Sequence, residues 1–198
     1  MDKISTREEL CNYICSVGLF NDGRPVYDDK HIKYMRPIQT SGLWQHPEEL
    51  TDYLLYLKTL SFNSYLDIGT FNGYTTKFIY DYIKTHINPK IKFKTIDPYV
   101  FLNPEVVFGE GEYENITIEQ ITEPYDFIFI DGNHEYGFIK DFEYAVKNAK
   151  YAAFHDINDK YCQNVVNFWN TEVKPKYPHI EFKYSTNNVF GIGVATLL

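Results

Sequence analysis

Four short apolar runs in this chain end on carboxylates. Asp67 closes "SYLDIG", Asp97 closes "KFKTID", Asp131 closes "DFIFID", and the pair His155–Asp156 closes "YAAFHD". Acids with histidines beside them can accept a proton, orient an imidazole or hold a hard divalent cation. His134 and His155 carry imidazoles that titrate near neutrality when unperturbed, which suits a general base. A lone acid at a strand end is often only a cap for the next helix, and a lone histidine is more often structural. His134 has that alternative too, as a cap for the helix beginning near Tyr136. Four acid-bearing ends, two of them with histidines, weaken the plain reading. His31, His46, His86 and His179 have no such company and are expected at the surface.

The first of these ends runs into "DIGTFNGYTT", where Gly69 and Gly73 bracket a loop. Glycine permits positive φ and lets a ligand approach the backbone. The spacing is D-x-G-x-x-x-G, whereas a dinucleotide diphosphate calls for G-x-G-x-x-G. Asp67 would repel a phosphate but can accept from an ammonium group. Asp97, about thirty residues further on, stands where an acid can accept from both hydroxyls of a ribose. An amino-acid end plus a ribose, with no phosphate, describes S-adenosylmethionine.

Alternating strands and helices must hold these residues. "YTTKFIYDYIKTH" and "YGFIKDFEYAVKNAK" read as helices between the acid-terminated strands, and "EVVFG" is a weaker strand candidate. That alternation implies right-handed crossovers and a mostly parallel sheet covered on both faces. In such sheets ligands bind outside the carboxyl ends of the strands. Upstream, "TREELCNYICSVGLF" and "HPEELTDYLLYLKTL" are helical, the second with Leu50, Leu54, Leu57 and Leu60 on one side. Between them lies a turn-rich stretch punctuated by Asp, Gly and Pro. The tail has a helix, "YCQNVVNFWNTEVK", then "IEFKYST" and "FGIGVATLL" joined through "NN", an antiparallel hairpin at one edge. The fold class is α/β, doubly wound, with a seven-stranded, mostly parallel, Rossmann-like sheet. Residues 1–42 form an N-terminal helix and a substrate-covering loop, and 43–198 the main domain.

The bulk properties set limits. The chain has 198 residues and a net charge of -8, which argues against a nucleic-acid partner because phosphate binding needs a basic face. Cys11, Cys15 and Cys162 make an odd number without framework spacing, so a reducing compartment is expected and the first two read as packing residues. The start "MDKISTREEL" has no apolar signal segment, and no run approaches membrane-spanning length. The expected location is cytoplasmic, with no membrane partner.

Together these stretches resemble the class I S-adenosylmethionine-dependent methyltransferases. "DIGTFNGYTT" resembles the glycine loop of the small-molecule O-methyltransferases. "FIDGNHEYGFIKDFE", "AFHDI" and "VVNFWNTE…FGIGV" resemble methyltransferase domain family 24, which is associated with sugar and natural-product O-methylation. The likeness covers roughly residues 43 to 197 and includes "GLWQHPEE" before the first strand. It departs at "NAKYAAF", where the usual glycine pair is absent. The resemblance implies that Asp67, Gly69, Thr70, Gly73 and Tyr74 contact the methionine part and Asp97 the ribose. It also implies that Glu110, in the "GEG" turn, lies near adenine, and that Asp131 borders the cofactor.

Methyl transfer requires an acceptor oxygen aligned with the methyl group and a base, a metal, or both to deal with its proton. Asp131, His134 and His155 are the expected catalytic residues. Asp131 and Asp156 are hard oxygen ligands for Mg²⁺ or another divalent ion. In the similar catechol-type enzymes the second strand-end acid is followed by Asn; here Ile157 follows, so one ligand is missing and His155, Asn133 or Asn158 must compensate. Without metal, His134 or His155 is the base, oriented by an acid. Trp44, Gln45 and the 21–41 loop are expected over the acceptor pocket, although a single Trp more often packs a core. The implied acceptor is a sugar or glycan, with a catechol or phenol as the alternative. A Rossmann oxidoreductase and a non-catalytic cofactor-binding domain are the rival classes. The first forty residues either fold over the site or pair with a second copy in a homodimer.

Overall fold

All four acid-terminated runs are strands. The computed structural model describes residues 4, 6–37 and 41–198. Residues 38–40 of the expected covering loop, and 1–3 and 5 at the start, lie outside the described residues. The strands are β1 (Ser64–Ile68), β2 (Lys92–Ile96), β3 (Tyr113–Glu114), β4 (Phe127–Ile130), β5 (Tyr151–Phe154), β6 (His179–Phe182) and β7 (Ile192–Thr196). Their spatial order is β3-β2-β1-β4-β5-β7-β6. The first five are parallel, and β7 runs antiparallel to both β5 and β6. Strand order reverses between β1 and β4, which opens the crevice where doubly wound sheets bind ligands.

Alternation along each strand feeds two cores. Tyr65, Phe93, Phe127 and Phe129 pack on one face with residues of α1 (Arg7–Val17), α3 (Pro47–Leu57) and α4 (Tyr74–His86). Leu66, Ile68, Ile128 and Ile130 pack on the other with α5 (Gly137–Asn148) and α6 (Gln163–Phe168). On the first face Phe93, Tyr65 and Phe127 form a ladder of near-parallel rings, 5.5 and 5.1 Å between centroids and tilted by only 8° and 5°. Such pairs contribute about 0.5–1.5 kcal/mol each beyond the area they bury. The Tyr65 hydroxyl shares a 2.8 Å hydrogen bond with Tyr53 of α3, so the ladder has no buried orphan.

The N-terminal segment belongs to the first core. Thr6 caps α1 in a reciprocal capping box with Glu9, and Leu10 and Ile14, one turn apart, are fully buried. Leu19 and Leu43 join the same cluster, which therefore runs across residue 42 without a break. A short helix, α2 (Asp29–Ile32), lies between α1 and α3. Glu49 of α3 is completely buried and accepts from the backbone N–H groups of Tyr184, Ser185 and Gly191, which ties the β6–β7 connection to α3.

Two expectations change. "EVVFG" is not a strand; β3 is the two-residue pair Tyr113–Glu114, because only those residues align with Thr95 and Ile96 of β2. The edge pair is antiparallel as expected, but a longer loop with a turn at Thr186–Asn187 replaces the tight "NN" hairpin. Among the described residues no helix is long and apolar enough to cross a membrane.

Candidate active site

A cavity of about 920 Å³ opens outside the carboxyl ends of β1, β2, β4 and β5. Asp67, Gly69, Thr70, Asp97, Asp131, His134, His155 and Asp156 all line it, so residues far apart in sequence meet at one sheet edge. Asp67 is nearly enclosed. Its Oδ2 accepts from the Thr76 hydroxyl at 2.7 Å and the Thr95 hydroxyl at 2.8 Å. Burial nevertheless pushes its carboxyl up to about 7. The Thr70 hydroxyl bonds Thr95 at 2.6 Å. Asp97 accepts from the N–H of Phe71 on one oxygen and of Tyr99 on the other, both at 2.9 Å, which fixes its carboxylate at the cavity wall.

The glycines act differently from the expectation of close ligand approach. Gly69 has φ +102, and a Cβ there would lie 2.2 Å from the Asp131 carbonyl oxygen. Gly73 has φ +82, and its Cβ would meet Leu102 at 2.4 Å. The chain's own atoms fill both spaces. The glycines seat β1 against β4, and α4 against the 102–106 segment. Gly73 is not among the cavity-lining residues.

At the β4 and β5 ends an acid–imidazole network forms. His155 is buried, and its Nδ1 lies 2.9 Å from Asp131 Oδ1 and 3.0 Å from Asp156 Oδ1. His134 Nε2 sits 3.0 Å from Asp156 Oδ2 and 3.5 Å from Asp131 Oδ1. Cys162 donates weakly to Asp156. Burial works against a charge on His134, but its bonds to Asp131 and Asp156 win and raise it far above the usual imidazole range. His155 is raised likewise, against burial, by the same two acids. Asp156 is held well below the carboxylate range by the two histidines, again against burial. The near-neutral imidazole expected at His134 is thus corrected: between two carboxylates it is held charged. Asp156 also adopts φ +62, a left-handed conformation that aspartate tolerates better than most residues.

Three sequence expectations lie elsewhere. Tyr74 is not at the cavity; its hydroxyl donates to Glu105 at 2.9 Å and Arg36 sits over its ring. Glu110 is exposed and away from the cavity, because β3 ends at Glu114 and the residues beyond its carboxyl end are Ile116 to Glu119, which do line it. Gln45 is fully buried and does not line the cavity, whereas Trp44 does, stacked on Phe20 at 4.3 Å. His134 does not cap α5, whose N-cap is Tyr136, and Asn133 turns the loop before it, accepting from the N–H of Glu135 at 2.8 Å. Of the three residues offered as replacement ligands, His155 joins the two acids. His31 and His46 are buried rather than at the surface; His179 is exposed as expected.

Sequence reasoning missed Asp141, Asp159 and Cys162, which line the cavity together with Arg24 of the 21–41 loop expected over the pocket. Asp141 had a visible signal: it stands with Phe138, Phe142 and Ala145 on the apolar stripe of α5, where a charge is out of place. Its carboxylate has no hydrogen-bond partner among the described residues, and burial pushes it up to about 7. Asp159 and Cys162 had no such signal, since loops brought them in.

No protein-family model matches the chain, and no curated protein matches it in sequence. Solved structures do match in shape. A cofactor-bound protein, Rv0187 from MTB, superposes with a TM-score of 0.57 at 13% identity, covering 98% of this chain and 99% of that one. The O-methyltransferase from Bacillus cereus, in complex with SAH, gives 0.53 at 16% identity over 99% and 92%. TomG from Streptomyces achromogenes, an O-methyltransferase of tomaymycin synthesis in complex with SAM, gives 0.52 at 14% over 98% and 99%. At these identities the likeness is one of fold: the chain has the Rossmann-like α/β fold of the class I methyltransferases.

Proposed function

We propose that this chain is an S-adenosylmethionine-dependent O-methyltransferase acting on a hydroxyl of a small acceptor, a sugar or glycan in the first place. What carries the reading is the cavity at the β1/β4 switch point, with Asp67, Asp97 and Asp131 at three adjacent strand ends. The cofactor, when bound, supplies an electrophilic methyl group. Asp67 receives its ammonium end, a contact that returns the carboxyl to its ionised form. Asp97 keeps lone pairs for the ribose hydroxyls, its orientation already set by two backbone donors. Ile116, Thr117 and Gly132 offer a wall for the adenine, in the role expected of Glu110.

On the acceptor side, exposed rings of Tyr99, Phe101, Tyr136 and Tyr161 line the mouth and suit the faces of a sugar or a phenol. Half-exposed His134, held as the imidazolium, meets the acceptor oxygen there and orients it, and the Asp131 carboxylate beside it takes the proton. The donor set also fits a divalent ion. Asp131, Asp156 and His155 converge within 4.8 Å and would hold it, lowering the hydroxyl's pKa. That fit keeps a catechol-type acceptor as the second reading.

The test is calorimetric titration of S-adenosylhomocysteine, with and without Mg²⁺, into the wild type and Asp67→Ala, followed by methyl transfer to a panel of sugars and phenols. Micromolar binding lost in Asp67→Ala is the expected result. No binding at high protein concentration sinks the enzyme reading and leaves only the fold.

A further inference from the structure

The N-terminal segment holds a second group of histidine and aspartate. Asp28 precedes α2, His31 lies on it, and His46 precedes α3. One nitrogen from each imidazole and one Asp28 oxygen lie within 4.8 Å of one another. The two rings meet edge to face with centroids 4.9 Å apart. His46 is fully enclosed, His31 is 4% exposed, and the Nδ1 of each ring has no partner. A buried polar atom without a partner is costly, and one on each of two adjoining rings needs a reason.

Asp28 has given up its ordinary task. An aspartate at a helix N-cap normally accepts from the first-turn N–H groups, yet Asp28 makes no such bond. Its Oδ1 accepts instead from the backbone N–H and hydroxyl of Thr186, at 3.1 and 2.5 Å, and its Oδ2 lies 3.0 Å from His46 Nε2. A carboxylate oriented from outside and aimed at two imidazoles is how metal ligands are held. His46 likewise sits at an N-cap without capping.

We propose that Asp28, His31 and His46 bind a divalent transition-metal ion of the zinc type, separate from the strand-end cluster. Two imidazoles and one carboxylate suit Zn²⁺ better than Mg²⁺, which prefers an all-oxygen shell. Three protein ligands leave a fourth position for water. The ion joins three pieces of chain: the 24–32 segment, the start of α3 and, through Asp28, the β6–β7 connection at Thr186. Arg24 and Trp44 line the main cavity and lie four and two residues from a ligand, so the ion braces one cavity wall. The site stands on its own geometry and needs no assumption about methyl transfer.

The experiment is Zn²⁺ titration of the untagged full chain carrying Asp156→Asn, since Asp156 belongs to both other groups of potential ligands. The expected result is about one ion per chain, with Tm raised by roughly 5–10 °C at a hundredfold excess over Kd. Adding His31→Leu, which keeps the site filled, weakens binding at least about a hundredfold; Asp28→Asn is the second variant should that one fail to fold. Co²⁺ in the same site gives visible d–d bands without a thiolate charge-transfer band. Absence of Zn²⁺ binding, undiminished binding in a folded His31→Leu or Asp28→Asn variant, or a thiolate band pointing to Cys162 each overturns the proposal.

Discussion

The two aspartate–histidine groups use the same side chains in opposite surroundings. At the β4 and β5 ends, Asp131, His134, His155 and Asp156 bond one another, and half-exposed His134 opens onto a large cavity. In the N-terminal segment, Asp28, His31 and His46 are closed off, with two ring nitrogens unpartnered. Strand ends impose the first arrangement: parallel pairing sets β4 beside β5 in fixed register, so their terminal residues must meet. The second depends on a four-residue helix and two N-caps, held by nothing more regular than Thr186 and the core beneath. A network open to a large cavity suits chemistry on a passing ligand, while a closed one suits a resident ion.

The largest expected effect separates the two groups. Asp131→Ala or Asp156→Ala lowers methyl transfer by about 10²–10⁴-fold, the usual worth of positioned acid–base groups, whereas a folded His31→Leu variant stays within about tenfold of wild type. Radiolabelled methyl transfer measures both, and equal losses would erase the distinction. Next comes the loop that brings β1 to β4. Gly69→Ala combines a left-handed φ with a clash against the Asp131 carbonyl and costs about 3 kcal/mol. Thermal unfolding should show a fall of roughly 6–12 °C. A fall of a degree or two would mean the strand ends can yield.

Two smaller effects concern acids raised by burial. Asp67 is raised to about 7, so below that pH it is protonated and cannot pair with an ammonium group. S-adenosylhomocysteine affinity should weaken about tenfold per unit as pH falls below about 7, level off above it, and lose that dependence in Asp67→Asn. A flat wild-type profile removes Asp67 from the ammonium contact. Asp141 is also raised to about 7, so the folded chain retains a proton that the unfolded chain releases near pH 4. Its cost to stability is absent below that pH and grows as pH rises towards 7. Asp141→Asn therefore stabilises the ligand-free chain at pH 8 by on the order of 1–3 kcal/mol and leaves it nearly unchanged at pH 4. Urea unfolding at the two values decides this, and equal shifts at both would refute the burial argument.

What could be read beforehand follows from the same contrast. Periodicity and the terminal acids placed β1, β2, β4 and β5, and with them Asp67, Asp97, Asp131 and Asp156, because a strand's end is a local property of sequence. The expected helix at "YTTKFIYDYIKTH" coincides with α4. The misplaced β3 had only two paired residues to signal it, and Glu110 moved with that error. Burial of His31 and His46 depends on how a turn-rich segment packs against α3 and against the β6–β7 connection, the latter more than a hundred residues away. Local pattern carries no trace of them. The charge on His134 was hidden in part for a related reason: it is set by Asp131 and by Asp156, the second on the neighbouring strand's end.

The ring ladder of Phe93, Tyr65 and Phe127 has a consequence beyond cohesion. Side chains along a strand alternate between faces, so Tyr65 and Asp67 are obliged to share one. A slip of β1 by a single residue would trade its faces, pulling the Tyr65 ring out of the stack into the other core and Asp67 away from Thr76 and Thr95. The flat stacking of three large rings leaves such a slip no comfortable alternative. Selection for a well-packed interior therefore also aims the acid, and a change deep in that stack, remote from any ligand, can misdirect the binding site without touching it.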